Sequence, residues 1–201
     1  MENYQLVLDR TIKDIEKSGK VPRLLLHSCC APCSSYVLEY LSKYFDITVL
    51  YCNPNIYPPE EFGKRAEEQV RLAEEMNFEH PVRVVVSDYN SDEFYSAVRG
   101  HEDDPEGGER CRICFELRLG AAADYASKHG FDFFTTTLSI SPLKNAAMLN
   151  EVGAGMAEKY GVAYLFSDFK KAGGYKRSCE LSAQYGLYRQ DYCGCVFSVR
   201  R

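Results

Sequence analysis

The sequence predicts an α/β fold: three layers around a mostly parallel sheet of about five strands, followed by an irregular, cysteine-containing C-terminal tail. Three observations lead there. The short apolar runs RLLLHS, ITVLYC, VRVVV, FDFFTTTL and VAYLF have the length and composition of buried strands. Longer segments with a helical apolar stripe separate them, which implies right-handed crossovers and helices on both faces, in the Rossmann-like manner. Cysteines, Asp88 and TTLSISPLK follow the ends of these runs, on the rim where sheets of this class form their sites. With no repeats, linkers or low-complexity tracts, residues 1–201 read as one domain.

The elements follow in order. Residues 3–18 form a helical pattern that Gly19 and Pro22 close. RLLLHS is the first strand, and Pro32 suits the first turn of the helix that carries Tyr36, Val37, Tyr40 and Leu41. ITVLYC is the second strand; the turn NPNIYPP leads from it to a helix bearing Phe62, Ala66, Val70 and Ala73. VRVVV (82–86) is the third strand, and SDEFYSAV a short helix opening on Ser91 or Asp92. GHEDDPEGGE reads as a mobile acidic loop before a helix over Cys111–Lys128, which Gly130 ends. FDFFTTTL is the fourth strand, residues 145–160 a helix, VAYLF the fifth strand, and a last helix lies near 176–185.

The composition, 45% apolar and 26% charged, is that of an ordinary globular protein, and no run is long enough to span a bilayer. The mixed-charge N-terminus lacks the pattern of a signal peptide, so the expected location is cytoplasmic, with no membrane partner. A net charge of −5 gives no general affinity for nucleic acid, so any such role needs a local patch.

Against that background nine cysteines are informative, because the cytosol keeps thiols reduced. Seven of the nine fall in three clusters: Cys29, Cys30 and Cys33; Cys111 and Cys114; Cys193 and Cys195. Cys30–Cys33 and Cys111–Cys114 are both CxxC pairs, and Cys111 and Cys114 share one face of their helix. Four thiolates joined by tertiary folding bind either zinc or an iron–sulfur cluster; ligand type alone does not choose. In YCGCVF, Gly194 lets the backbone turn tightly enough for Cys193 and Cys195 to meet. That pair is redox-active or supplies two more metal ligands. Cys52 and Cys179 read as structural thiols.

Other chemistries find no seat. His27, His80, His101 and His129 form no zinc-hydrolase or deaminase pattern, and neither GxGxxG nor a Walker A loop is present. Basic and aromatic residues gather late: Lys170, Lys171, Tyr175, Lys176, Arg177, Tyr185, Tyr188, Arg189, Tyr192, Arg200 and Arg201. Tyr and Arg together stack on bases and hold phosphates, although a solvated face gives the same composition.

Taken in order, LLLHSCCAPCS, YCNPNIYPPEEF, ERCRICFELRL, FTTTLSISPLKN, FKKAGG and YRQDYCGCVFS resemble the epoxyqueuosine reductases of the QueH type, over residues 24–198. The resemblance implies removal of the epoxide oxygen of epoxyqueuosine at the tRNA anticodon without cobalamin, the last step of queuosine biosynthesis. It implies a [4Fe-4S] cluster on Cys29, Cys30, Cys111 and Cys114, where spacing alone pairs Cys30 with Cys33. It also implies a redox-active disulfide between Cys193 and Cys195, and an adjacent mononuclear iron for which Cys33 and Asp88 are candidates. On that reading the iron polarises the epoxide oxygen, the cluster and the dithiol pass electrons from an external donor, and Tyr192, Asp191 or water gives protons. Lys170, Lys171, Lys176, Arg177 and Arg189 become the expected tRNA contacts. The alternatives are a zinc-stapled tRNA-binding module and a thiol–disulfide oxidoreductase using CCAPC, which calls for a thioredoxin-like strand order.

Overall fold

The structure, a computed structural model, describes residues 2–199; Arg200 and Arg201 lie outside them. Strands β1 (Arg23–His27), β2 (Asp46–Tyr51), β3 (Arg83–Val86), β4 (Phe133–Thr136) and β5 (Ala163–Tyr164) form one sheet in the order β3-β2-β1-β4-β5. Every pairing is parallel; Leu25 lies opposite both Thr48 and Phe134. The expected α/β class and strand number are borne out.

Alternation along β1 divides the core. Leu24 and Leu26 point to one face, with Ile47 and Val49, under α1 (Tyr4–Ser18) and α2 (Ala31–Leu41). Leu25 and Leu50 point to the other, against Ala122, Ala123 and Ala126 of α5 (Glu109–Lys128) and Met156 of α6 (Ala146–Tyr160). Side chains at successive strand positions alternate between faces, so a fully apolar strand demands a helix layer on each side. Helix α3 (Pro59–Glu75) packs beside α2 and β3, and α7 (Gly174–Gln184) against α2, while α4 (Ser91–Ala97) packs on α5.

Local chemistry sets the boundaries. Asn3 caps α1 by accepting from the Leu6 amide, Gly19 closes it in the left-handed region, and Leu8, Ile12 and Ile15 form its buried stripe. Pro32 sits in the first turn of α2 as expected, and Cys30 is its N-cap residue. Gly174 opens α7 where a Cβ would collide with the Phe169 carbonyl oxygen, which explains the second glycine of FKKAGG.

Three expectations change. β4 spans four residues, because the Thr136 hydroxyl accepts from the Leu138 amide and turns TLSI into a 3-10 turn. β5 keeps only two residues, at the sheet edge, where it pairs with Phe133 and Phe134 alone. The acidic loop before α5 is tied down rather than free: Arg110, 4% exposed, donates to the carbonyls of His101, Glu102 and Asp104.

Candidate functional site

Strand β1 delivers the first thiols. Its pairing with β2 continues past His27, the Ser28 amide donating to the Leu50 carbonyl, and the chain then turns into α2 through Cys29 and Cys30. A buried polar network fixes that turn. Ser28 and Ser34 both donate to Gln69 Oε1 of α3, and Asn53 Nδ2 donates to the Ser28 carbonyl at 2.8 Å. Burial and the neighbouring Arg118 depress His27 to about 3, so its imidazole is neutral. It bridges the Thr136 hydroxyl and the Cys52 carbonyl, a structural role. Beyond it, the sulfurs of Cys29, Cys30 and Cys33 lie within 4.8 Å of one another.

Helix α5 and the tail supply the rest. Cys111 and Cys114 occupy its first turns, and Cys111 packs against the cluster that contains Cys29 and Cys30. Cys114 packs with Cys195, Phe94 and Val98. A narrow crevice is lined by Cys111, Cys114, Cys193 and Cys195 together with Arg110, Arg118 and Lys144. A larger cavity of about 210 Å³ is lined by Cys29, Cys33, Cys193, Leu138, Lys144 and Tyr192, among others. Cys193 and Lys144 border both spaces, so seven cysteines from three sequence regions gather around two neighbouring spaces at the carboxyl edge of β1 and β4, with Cys29, Cys30 and Cys33 the group whose sulfurs lie within 4.8 Å of one another.

The tail is held there by named contacts. The Tyr57 amide donates to the Gly194 carbonyl at 2.8 Å, and the Tyr192 hydroxyl donates to the Tyr57 carbonyl at 2.6 Å. Gly194 has φ 117°, and a Cβ there would stand 3.1 Å from Arg65 Nη1. Gly194 thus takes a backbone conformation that favours glycine, while Cys193 and Cys195 on either side of it are free thiols.

Positive charge surrounds the thiols. Arg118, 2% exposed, donates to Asn53 Oδ1 at 2.6 Å and points Nη1 at Cys114 Sγ from 4.0 Å. Arg65, 1% exposed, is paired through Nε with Glu61. Cys29 is held well below the ordinary thiol range by hydrogen bonds from Cys30 and Cys33, with Arg118 and His27 adding to the effect. Burial pushes Cys114 up to about 11, against the pull of Arg118. Of the three thiols, Cys29 is the one whose surroundings favour the thiolate, while Cys30 and Cys33 are pushed up by it and by burial.

The other predicted residues fall in several places. All nine cysteines are free thiols here, Cys193 and Cys195 included. Asp88 is exposed beyond β3, lines neither cysteine space, and is not brought to the thiols. Lys171 and Lys176 are exposed, and Arg189 lines the larger cavity. Lys170 is paired with Asp168, and Arg177 makes a two-pronged bond to Glu39 at 2.6 and 2.9 Å, so both cations are already engaged. Cys52 and Cys179 are half-buried and stand outside the thiol group. Sequence reasoning passed over Arg65, Arg118 and Lys144. The spacing Cys111, Cys114, Arg118 was a usable signal, because those positions share one helix face.

The donor set fits an anionic, sulfur-ligated centre. It is all thiol, a donor set that both structural zinc and iron–sulfur sites use. Both Nη atoms of Arg65 and Nε of Arg118 are buried with no hydrogen-bond partner, and Arg65 is held cationic by Glu61 together with Cys30 and Cys29. Unpaired cationic donors beside thiols are costly unless an anion faces them.

Fold and site together define a doubly wound α/β protein with a buried thiol centre at the carboxyl edge of its sheet. A family model described as epoxyqueuosine reductase QueH matches residues 24–201. The epoxyqueuosine reductase QueH of Streptococcus pyogenes serotype M1 is 44% identical over 98% of this chain and 78% of its own length. That of Thermotoga maritima is 38% identical over 88% of this chain and 90% of its own. The chain therefore belongs to the epoxyqueuosine reductase QueH family and is an oxidoreductase, as the motifs had implied. Among solved structures, the U34-tRNA thiolase NcsA from Methanococcus maripaludis with its [4Fe-4S] cluster has a TM-score of 0.52 at 14% identity, covering 96% of this chain and 68% of its own. At that identity the likeness shows the fold alone.

Proposed function

We propose that this chain removes the epoxide oxygen of epoxyqueuosine in tRNA to give queuosine, and that Cys29, Cys30, Cys111 and Cys114 hold a [4Fe-4S] cluster. The observation that carries the reading is the convergence of seven cysteines and two under-partnered buried arginines on one rim. Loss of the oxygen as water consumes two electrons and two protons; the cluster, when bound, supplies electrons one at a time. Arg65 and Arg118 balance the charge of the thiolates, and the apolar wall of Leu138 and Ile140 narrows the cavity in which the epoxide would lie. Cys33, beside Cys29 and Cys30, is free for an adjacent iron.

Cys193 and Cys195 form the redox pair in this reading, interconverting between dithiol and disulfide as an external donor supplies electrons. Lys171, Lys176, Arg189 and Tyr175, which are exposed or line the cavity, make the first contacts with the anticodon arm. The thioredoxin-like alternative loses its basis, since the all-parallel order β3-β2-β1-β4-β5 is of the doubly wound class. Anaerobic reconstitution tests the cluster: a brown protein is expected, with about four irons per chain from the cluster beyond any adjacent iron, and the cluster iron and colour are lost in Cys111→Ala. A colourless zinc protein, or full iron in that variant, contradicts it.

A further inference from the structure

We propose that Lys144 is the proton donor to the epoxide oxygen, recharged from solvent through Glu106; the proposal rests on the reductase reading above. Among the described residues Lys144 is the one cation that borders both the large cavity and the cysteine crevice. It follows the 3-10 turn after β4, so the sheet places it at the carboxyl edge. Its side chain is 9% exposed, and Nζ donates to Cys193 Sγ and to Glu106 Oε1, each at 3.0 Å. Glu106 is 47% exposed, so one carboxylate joins the buried ammonium to water.

Its rivals at the cavity are less suited. The Tyr192 hydroxyl is committed to the Tyr57 carbonyl, and Asp191 is exposed to solvent rather than enclosed with the thiols. Arg189 lines the cavity, but a guanidinium does not release its proton. Burial works against the charge of Lys144, yet Cys193 and Glu106 more than offset it, so the ammonium is kept. The same contacts raise Lys144 above the ordinary lysine range and weaken it as an acid, but an alkoxide is more basic still, its conjugate acid lying near the value of about 15.7 for water, so transfer to the opening epoxide is downhill.

The step balances as follows. Both C–O bonds break and a carbon–carbon double bond forms. Two electrons enter from a low-potential one-electron donor, and the oxygen leaves as water with two protons. Lys144 gives the first proton as the ring opens, is recharged through Glu106, and gives the second as the hydroxyl departs.

The test is single-turnover reduction of an anticodon stem-loop RNA carrying the epoxide, using reconstituted enzyme with dithionite and reading oxygen loss by mass spectrometry. Lys144→Met is expected to slow the reaction by about 10²–10⁴-fold with iron content and RNA affinity unchanged. Lys144→Arg keeps the positive charge and donors for both hydrogen bonds, and should be slowed by at least about 10²-fold. It decides the matter if the Met variant fails to fold or to hold iron. A wild-type rate in either variant, or an Arg variant that restores what Met loses, overturns the proposal in favour of a purely electrostatic role. A wild-type rate in Glu106→Gln overturns the recharging route. Wild-type enzyme that removes no oxygen overturns the reductase reading instead.

Discussion

At Gly194 the backbone turns through φ 117° with Arg65 and Ile56 pressed close, and the residues on either side are the two tail cysteines. Gly194→Ala should cost about 1–3 kcal/mol by denaturant unfolding, because both the backbone and the space resist a Cβ. Unchanged stability would show that the tail does not need this turn. Arg118 is the second sensitive residue. Arg118→Met leaves Asn53 Oδ1 buried without its donor, which should cost about 1–3 kcal/mol in cluster-free protein. These residues also show where sequence reading stops. Gly194 was legible because a CGC turn restricts itself, whereas Arg65, Arg118 and Lys144 are charges that composition alone assigns to the surface. Only the fold reveals that thiols and carboxylates surround them.

Among the elements, the strands and helices that carry the site were readable. β1 and β2 are uninterrupted apolar runs, and the caps and glycines of α1 and α2 are local signals. The shortening of β4 and β5 was not readable, since it depends on the Thr136 cap and on position in the sheet. Nor was the docking of the tail on α3. Glu68 makes that joint: its carboxylate accepts from Arg71 and from the Tyr188 amide at 2.8 Å. Arg71 holds Glu68 below its ordinary value of 4.5, with the Tyr188 amide assisting. A depressed carboxyl stabilises the fold above its unfolded value, and that contribution is lost as pH falls through the folded one. Wild type should thus exceed Glu68→Gln by about 1 kcal/mol at neutral pH, with the gap closing in paired thermal melts as pH falls below the ordinary value of 4.5. A gap that widens in acid would contradict the assignment.

For the whole molecule, a chain of net charge −5 must meet RNA through a local face, and the proposed reading assigns that face to Lys171, Lys176 and Arg189. Affinity for an anticodon stem-loop should fall steeply as salt rises, and salt-independent binding would place the RNA elsewhere. The thiol centre itself was half legible. Clustering of the cysteines announced it, but the gathering of three distant segments at one sheet edge is a property of the parallel topology. Among the described residues, no helix is long and apolar enough to cross a membrane. The most direct measurement is mass analysis of an epoxyqueuosine-bearing RNA after anaerobic incubation with reconstituted enzyme and reductant. The account predicts a product lighter by one oxygen atom, formed only by protein that retains its iron; oxygen loss by iron-free protein, or none by the loaded enzyme, would contradict it.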